Sequence, residues 1–271
     1  MCKRLLSFLF LSAMVAAQAA VPTPANVSQA APVEQENAQK AKDLINQMIE
    51  ALGGQAYLTI QDISQEGRTY GLHHGQAEGA GVLFWRFYKY PDKDRVELTK
   101  KRDVIEIFRG NEGFETTYKG TRADDTKTVT DYIRRRQYSL DWVLRKWLNE
   151  PGIALFYEGA TVAAQKETQQ VTIMNSRNEA VTLYIDSNTH LPVKKTFSWR
   201  DPTDKERNIE DEVFDNYRPV EGIMTPFSVT RFYNGEMSSQ RFLHTVSYNK
   251  GLSDSLFAAS ATYDANRPAP R

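Results

Sequence analysis

The chain has 271 residues, of which 41% are hydrophobic and 25% are charged. These fractions are ordinary for a globular protein, and they exclude collagen-like, fully disordered and polytopic membrane classes. The 34 basic and 34 acidic side chains give a formal charge of zero, which argues against a nucleic-acid partner. The length suits one large domain or two small ones.

The N-terminus has the order of a secretory signal peptide. Lys3 and Arg4 precede an apolar run at 5–17, and Ala17-Gln18-Ala19 offers small residues for cleavage. A membrane anchor is the alternative, but about 13 apolar residues are few for a span. We therefore expect a signal peptide at 1–19, export and a periplasmic location. Cleavage would remove Cys2, the only cysteine, and with it any disulfide or thiolate chemistry.

A linker, one domain and a tail are expected to follow. Residues 20–36 are rich in Ala, Pro and Gln without apolar periodicity, which predicts a flexible linker. Apolar residues then recur at helical spacing from Ala41 to Leu52, and Gly53-Gly54 would end this helix. A single domain is predicted at 37–258, and a C-terminal tail at 259–271.

The rest of the domain has mainly the texture of β-structure. About a dozen short segments between Ile60 and Tyr248 are rich in β-branched and aromatic residues, and turn signals separate them. Asn234-Gly235 is the strongest hairpin signal. Short turns favour an antiparallel meander over βαβ units. We therefore predict a mainly β fold with helices (α+β), built on one strongly curved sheet that forms a barrel or an open half-barrel.

A second helical segment interrupts the strands. Between Asp131 and Asn149 the apolar residues return to helical spacing, with Ser139 as a plausible N-cap. Two amphipathic helices placed in this way could fill the concave face of the sheet. The basic run Arg134-Arg135-Arg136 can be a solvated face or a binding patch, and the solvated face is the favoured interpretation.

Catalytic and metal-binding signatures are missing from the sequence. It contains no G-x-S-x-G, H-E-x-x-H, Walker or C-x-x-C motif. His73-His74 could ligate a metal, but adjacent residues of a strand point to opposite faces, so a surface loop is favoured. We expect no enzyme activity, no cofactor and no metal site.

Aromatic residues are the most informative feature of the sequence. They crowd both faces of the strand around Trp85, recur on a later strand and occur in the second helical segment. Such residues can be ordinary core, or they can line a cavity for an acyl chain, where each buried methylene stabilises by about 0.8 kcal/mol. The residues predicted to line a hydrophobic cavity are Leu83, Trp85, Phe87, Trp142, Trp147, Phe197 and Trp199.

Several stretches resemble the LolA-like superfamily of periplasmic lipoprotein carriers. They are Glu78–Trp85 running on to Tyr90-Pro91, Arg109–Phe114, Leu183–Asp186 with Leu191–Lys194, and Asp215–Ile223. The resemblance implies an unclosed half-barrel of about 11 antiparallel strands with a helical lid over a hydrophobic cavity. It also implies a lipid or acylated lipoprotein as ligand, and a membrane protein as donor or acceptor. Tyr90 stands where the family has an arginine that helps to latch the lid.

Three functions remain open at this level. The first is a periplasmic carrier that shields lipid or lipoprotein acyl chains. The second is a non-transporting envelope domain, structural or sensory, that binds a protein partner through the same fold. An exported hydrolase is third, because no nucleophile–base pair is visible in the sequence.

Overall fold

The computed structural model describes residues 30–73 and 75–264, so the predicted signal peptide lies outside the described residues. The helices are α1 (Ala30–Leu52), α2 (Gln55–Leu58), α3 (Thr126–Gln137) and α4 (Leu140–Arg145), with 3-10 turns at Trp147–Asn149 and Asp254–Phe257. No helix within the described ranges is both long enough and apolar enough to cross a membrane.

Fourteen strands follow one another in the part of the chain that the structure describes. They are β1 (Asp62–His73), β2 (Gln76–Ala77), β3 (Val82–Lys89), β4 (Lys93–Leu98), β5 (Val104–Arg109), β6 (Glu112–Thr117), β7 (Gly120–Ala123), β8 (Ala154–Ala163), β9 (Lys166–Met174), β10 (Ala180–Asp186), β11 (Pro192–Arg200), β12 (Arg207–Val220), β13 (Ile223–Tyr233) and β14 (Glu236–Tyr248). The β13–β14 hairpin turns at Asn234-Gly235, as predicted, with φ of 49° and 84° at these two residues.

All strands belong to one antiparallel, unclosed sheet. Its order is β7-β6-β5-β4-β3-β1-β14-β13-β12-β11-β10-β9-β8, and the short β2 pairs only with β1. The predicted fold class is confirmed, with fourteen strands in place of about eleven. Since β7 and β8 lie at opposite edges, the segment between them must cross the whole sheet. We call residues 124–153, which contain α3 and α4, the inserted segment.

The helices lie on one face of the sheet, which we call the inner face. Helix α1 packs against β8, β9 and β13, and its apolar stripe is buried. Together with α4 it covers a continuous core under one half of the sheet. The core residues of α1 and α4 are Ala41, Leu44, Ile45, Met48, Leu52, Val143 and Leu144. Gly53 ends α1 at φ 127°, where an added Cβ would lie 2.7 Å from the Gly222 carbonyl oxygen.

The helix boundaries differ from the predicted ones in two places. Helix α1 begins at Ala30, inside the range assigned to the linker. The second helical segment is broken at Tyr138, and Ser139 caps α4 as predicted by accepting the Trp142 amide. At the other end of the domain, Thr262 of the predicted tail accepts the Thr121 amide of β7 at 2.9 Å.

Candidate functional site

Strand β3 presents two different faces, and alternation decides which residues meet the helices. Phe84, Arg86 and Tyr88 lie on the inner face. This assignment rests on Asp94, the strand partner of Tyr88, which binds Arg86 at 2.8 Å and accepts the Tyr132 hydroxyl of α3 at 2.9 Å. Every second residue, beginning with Leu83, therefore points to the outer face.

The outer face of β3 carries three of the predicted cavity residues, Leu83, Trp85 and Phe87. The Arg102 guanidinium lies 5.0 Å from the Trp85 ring centroid and 5.9 Å from that of Phe87. The C-terminal 3-10 turn packs on the same face, against β4 and β5. These three residues are thus separated from the helices by the sheet itself. Both faces of β3 are apolar, so the sequence pattern could not select the inner one.

The structure brings the other four predicted residues together on the inner face. Trp147 and Phe197 are 1% and 3% exposed, and both contact Tyr138. The Tyr138 ring stacks on Phe197 at 4.5 Å and meets Trp147 edge-on at 5.4 Å. This trio is packed core, and it anchors the break between α3 and α4 to the sheet.

Trp199 and Trp142 are half-buried beneath arginines of α3. The Arg134 guanidinium lies 3.4 Å from the Trp199 ring centroid, and the Trp199 Nε1 donates to Glu210 at 3.0 Å. The Arg136 guanidinium lies 5.7 Å from the Trp142 ring centroid. Cation–π contacts of this kind contribute about 0.5–2 kcal/mol each.

The basic run at the end of α3 is therefore not the solvated face that the sequence predicted. Arg134 bonds Asp131 at 2.8 Å and is largely buried. Arg136 donates to the Gly110 carbonyl at 3.2 Å, and only Arg135 is half-exposed, 3.4 Å from Glu210. A helical period of 3.6 residues brings Arg134 and Arg136 to opposite walls of the inner face, so the run ties α3 to both halves of the sheet.

Helix α4 is held at its first turn by two tyrosines. Tyr90 donates to Asp141 at 2.8 Å, and Tyr57 donates to the other carboxylate oxygen at 2.5 Å. Burial, and then the charge of Asp141, raise the pKa of both hydroxyls well above the usual value. The Arg145 guanidinium closes the group, 3.8 Å from the Tyr90 ring centroid. Tyr90, where the resemblance leads one to expect an arginine, thus binds the inserted segment. We call these four residues the latch.

Charged side chains occupy the middle of the inner face. Lys195 is 1% exposed and binds Glu212 at 2.7 Å, and Arg231 binds the second oxygen of that carboxylate at 2.8 Å. Burial alone would raise the pKa of Glu212, but the two cations outweigh it and hold that pKa well below its usual range. A second pair, Arg86 with Asp94, lies on β3 and β4. Sequence reasoning missed these residues because they lie on five different strands, and only the strand order of the sheet brings them to one face.

A smaller apolar cluster lies beside these charges. Phe84, Phe227 and Leu243 are buried, and the partly buried Val96 and Leu98 pack on them. Leu98 pairs with Phe84 across β3 and β4, so both face inward. Apolar and charged surface therefore adjoin on one part of the inner face. We call this surface the inner floor.

Helix α3, which crosses this half of the sheet, has no fully buried residue. Its ring contact is Tyr132 on Phe108, stacked with centroids 3.8 Å apart. Its other contacts include the polar contacts of Tyr132, Arg134, Arg135 and Arg136 and the Arg134–Trp199 cation–π contact already given. Helix α4 differs, since its Val143 and Leu144 are 0% and 2% exposed. The inserted segment thus has one deeply packed part and one part held at its surface.

Among residues 30–73 and 75–264, no group of three His, Cys, Asp or Glu side chains could hold a metal ion.

The molecule is thus an unclosed antiparallel half-barrel with helices over one face. No family model matches the chain, and no curated protein matches it. Solved structures are similar. A DUF1329 family protein from Desulfovibrio piger has a TM-score of 0.57 at 13% identity, covering 82% of this chain and 97% of its own. A LolA superfamily protein from Nitrosomonas europaea has a TM-score of 0.51 at 12% identity, covering 81% and 97%.

A third similar structure is a domain from Vibrio parahaemolyticus described as an outer membrane lipoprotein-sorting protein. Its TM-score is 0.51 at 10% identity, with 84% of this chain and 97% of that chain covered. The chain therefore has the LolA-like fold, and at these identities the likeness concerns the fold alone.

Proposed function

We propose that the protein is an exported carrier that shields the acyl chain of a lipid or lipoprotein on its inner floor, beneath α3. The observation that carries the proposal is the unequal packing of the inserted segment. Helix α3 has contacts on both sides of the apolar cluster, with β4 and β5 and with β11 and β12, yet none of its residues is fully buried, whereas α4 is deeply anchored. A helix held by polar and ring contacts can separate from the floor at less cost than one held by a dry core.

The floor supplies the driving force for such binding. Phe84, Phe227 and Leu243 form a ready apolar surface, and removing Tyr132 from Phe108 would extend it along β5. Each methylene buried there is worth about 0.8 kcal/mol, so a chain of several carbons offsets the hydrogen bonds and ring stacking that break when α3 moves. The resemblance to lipoprotein carriers supports the same ligand class. Donor or acceptor proteins in a membrane, and a periplasmic location, belong to this proposal.

Two leucines on opposite faces give a direct test. Leu98 packs on the inner floor, and Leu83 lies on the outer face of the adjoining strand, both partly buried. Leu98→Glu should abolish the uptake of a fluorescent fatty acid, and Leu83→Glu should leave it intact. Near-UV circular dichroism of both variants checks that they fold, and Leu98→Asn is the milder replacement if the glutamate disrupts folding. Equal uptake by folded variants of both positions would show that the floor is not the binding surface.

A second experiment addresses the natural ligand. The protein is purified from an envelope fraction without detergent, and its organic extract is analysed by mass spectrometry. We expect a lipid in stoichiometric amount, released when the protein is unfolded. Empty protein that also takes up no fatty acid in vitro would contradict the carrier function.

A second candidate function has its own observation. The half of the inner face beneath α1 and α4 is filled by fully buried side chains such as Trp147 and Ile45, and α1 leaves a groove of about 820 Å³ against the edge strand β8. Val33 and Phe156 on its rim are exposed. This arrangement favours an envelope domain, structural or sensory, that binds a protein partner. A soluble partner recovered with lipid-free protein, and lost on Phe156→Glu, would support it.

A further inference from the structure

Arg241 is the one arginine of the inner floor that has no carboxylate partner within the described ranges. It pairs with Thr69 and Val229 on the neighbouring strands, and its guanidinium carbon lies 6.0 Å from the Phe84 ring centroid. Its Nε is buried and has no hydrogen-bond partner. A buried donor left unpaired is unfavourable, and more so when it belongs to a charged group.

The surroundings of Arg241 are electropositive. The charged groups that act on it most strongly are Arg86 and Arg231, followed by Glu212 and Asp94. Both of these carboxylates are already engaged, Asp94 by Arg86 and Glu212 by Lys195 and Arg231. Four cations thus share two anions on this part of the floor. Burial, and then the positive charges of Arg86 and Arg231, lower the pKa of Arg241 to about 9.

Another inward-facing carboxyl group, that of Glu106, does not repair this imbalance. Glu106 faces inward as the strand partner of Val96. Its charged neighbours are Asp124, Asp94 and Glu115, all acidic, and burial followed by these charges raises its pKa. On the inner face, acidic side chains are therefore concentrated at β5–β7, and the excess of positive charge lies around Arg241.

We propose that Arg241, beside the apolar cluster of Phe84, Phe227 and Leu243, binds the anionic head group, carboxylate or phosphate, of an amphiphile whose chain lies on the inner floor. The inference rests on the proposed carrier function and adds the class of ligand to it. A guanidinium presents a planar set of N–H donors that suits two oxygen atoms of an oxyanion. An apolar cluster next to it provides the surface for the attached chain.

The test compares ligands that differ only in their head group. Hexadecanoic acid and hexadecanol are titrated by calorimetry into the wild-type protein and into Arg241→Gln, Arg241→Lys and Arg207→Gln. Arg207 is an exposed arginine at the start of β12 and serves as the matched control. We expect the acid to bind the wild type and the control at least about tenfold more tightly than the alcohol. Arg241→Gln should abolish this preference without weakening alcohol binding, and Arg241→Lys should retain part of it.

Inorganic phosphate separates a lipid head group from a free anion. Its effect on the thermal unfolding of the wild type and of Arg241→Gln is measured in parallel. Stabilisation of the wild type alone, with no binding of either C16 ligand, would assign the site to a free anion and overturn both the head-group inference and the carrier function. Equal affinity of the wild type for acid and alcohol would overturn the head-group inference and leave the carrier function standing.

Discussion

The Tyr90 hydroxyl donates a 2.8 Å hydrogen bond to Asp141, and this contact joins the end of β3 to the first turn of α4. Asp141 also accepts the Tyr57 hydroxyl, so one carboxylate binds the sheet, α2 and the inserted segment together. In the lipoprotein carriers that the sequence resembles, an arginine at the position of Tyr90 helps to latch the lid. In this chain the donor at that position is neutral, and the negative charge resides on the helix.

Loss of this bond should loosen the inserted segment. Tyr90→Phe keeps the ring beneath Arg145 and removes only the hydroxyl, leaving Asp141 with one donor fewer. We expect a loss of about 1–3 kcal/mol in the free energy of unfolding, measured by urea denaturation, and faster amide exchange in α4. Tyr118→Phe, at a tyrosine that is 91% exposed, should change stability by less than about 0.5 kcal/mol. Equal effects of the two substitutions would contradict a latch at Asp141.

Two adjacent lysines on β11 should differ sharply in their contribution to stability. Lys195 is buried and bonds both Glu212 and the Tyr138 carbonyl at 2.7 Å, whereas Lys194 points outward to Asp211 at 3.2 Å. Lys195→Met should cost about 3–5 kcal/mol because it leaves the carbonyl unpaired and Glu212 undercompensated. Lys194→Met should cost less than about 1 kcal/mol. Urea denaturation of both variants decides the matter, and a small loss at Lys195 would show that the buried network contributes little to stability.

Acid should lower the free energy of unfolding through protonation of Glu212. Lys195 and Arg231 hold the pKa of Glu212 below the pKa of a glutamate in the unfolded chain, which is about 4.3. Above that pH, Glu212 therefore makes its full contribution to the free energy of unfolding. The contribution falls as pH drops below that value towards the folded pKa, since the unfolded state then binds the proton first. The stability difference between wild type and Glu212→Gln should therefore shrink between pH 5 and pH 2.5 (roughly the range set by that value). Glu206→Gln, at an exposed site, should leave the pH profile unchanged.

The outer-face aromatics should contribute to stability and not to ligand binding. Trp85 lies beneath Arg102 on the face opposite to the helices. Trp85→Leu should lower the free energy of unfolding by about 1–3 kcal/mol through poorer packing, with fatty-acid affinity unchanged. Fluorescence titration alongside urea denaturation separates the two effects. Reduced affinity at full stability would make the outer face the binding surface instead.

Much of the fold could be predicted from the sequence, because local patterns carry it. Turn chemistry at Asn234-Gly235, the apolar stripe of α1 and the Ser139 cap are all decided within a few residues, and each agrees with the structure. The choice of inner face on β3 could not be predicted, since Trp85 and Phe84 are equally apolar. Only the distant strand partners and α3 distinguish them.

The charged residues of the inner floor could not be predicted for a related reason. Arg86, Arg231 and Arg241 are far apart in the chain and alternate with apolar residues, so each alone looks like a solvent-facing position of a strand. They come together only because of the strand order, which cannot be read from a short stretch of sequence. The sequence does contain one indication. Arg86 lies between Phe84 and Tyr88 on the same face of β3, and both of these neighbours are buried, so the charge of Arg86 is placed there at a cost in free energy.

The order of strands also has a consequence for how the chain reaches its native state. Strand β1 lies near the centre of the sheet, yet its partner β14 is the last of the described strands to be synthesised, and the Gln61–Asn249 contact beside them spans 188 residues. The two wings, β3–β7 and β8–β13, consist of neighbouring hairpins that can form early. Their union must await the C-terminal hairpin and close a very long loop, which makes folding slow. A chain truncated before β14 would therefore lose its centre and not merely an edge, and it would expose the inner strands to aggregation.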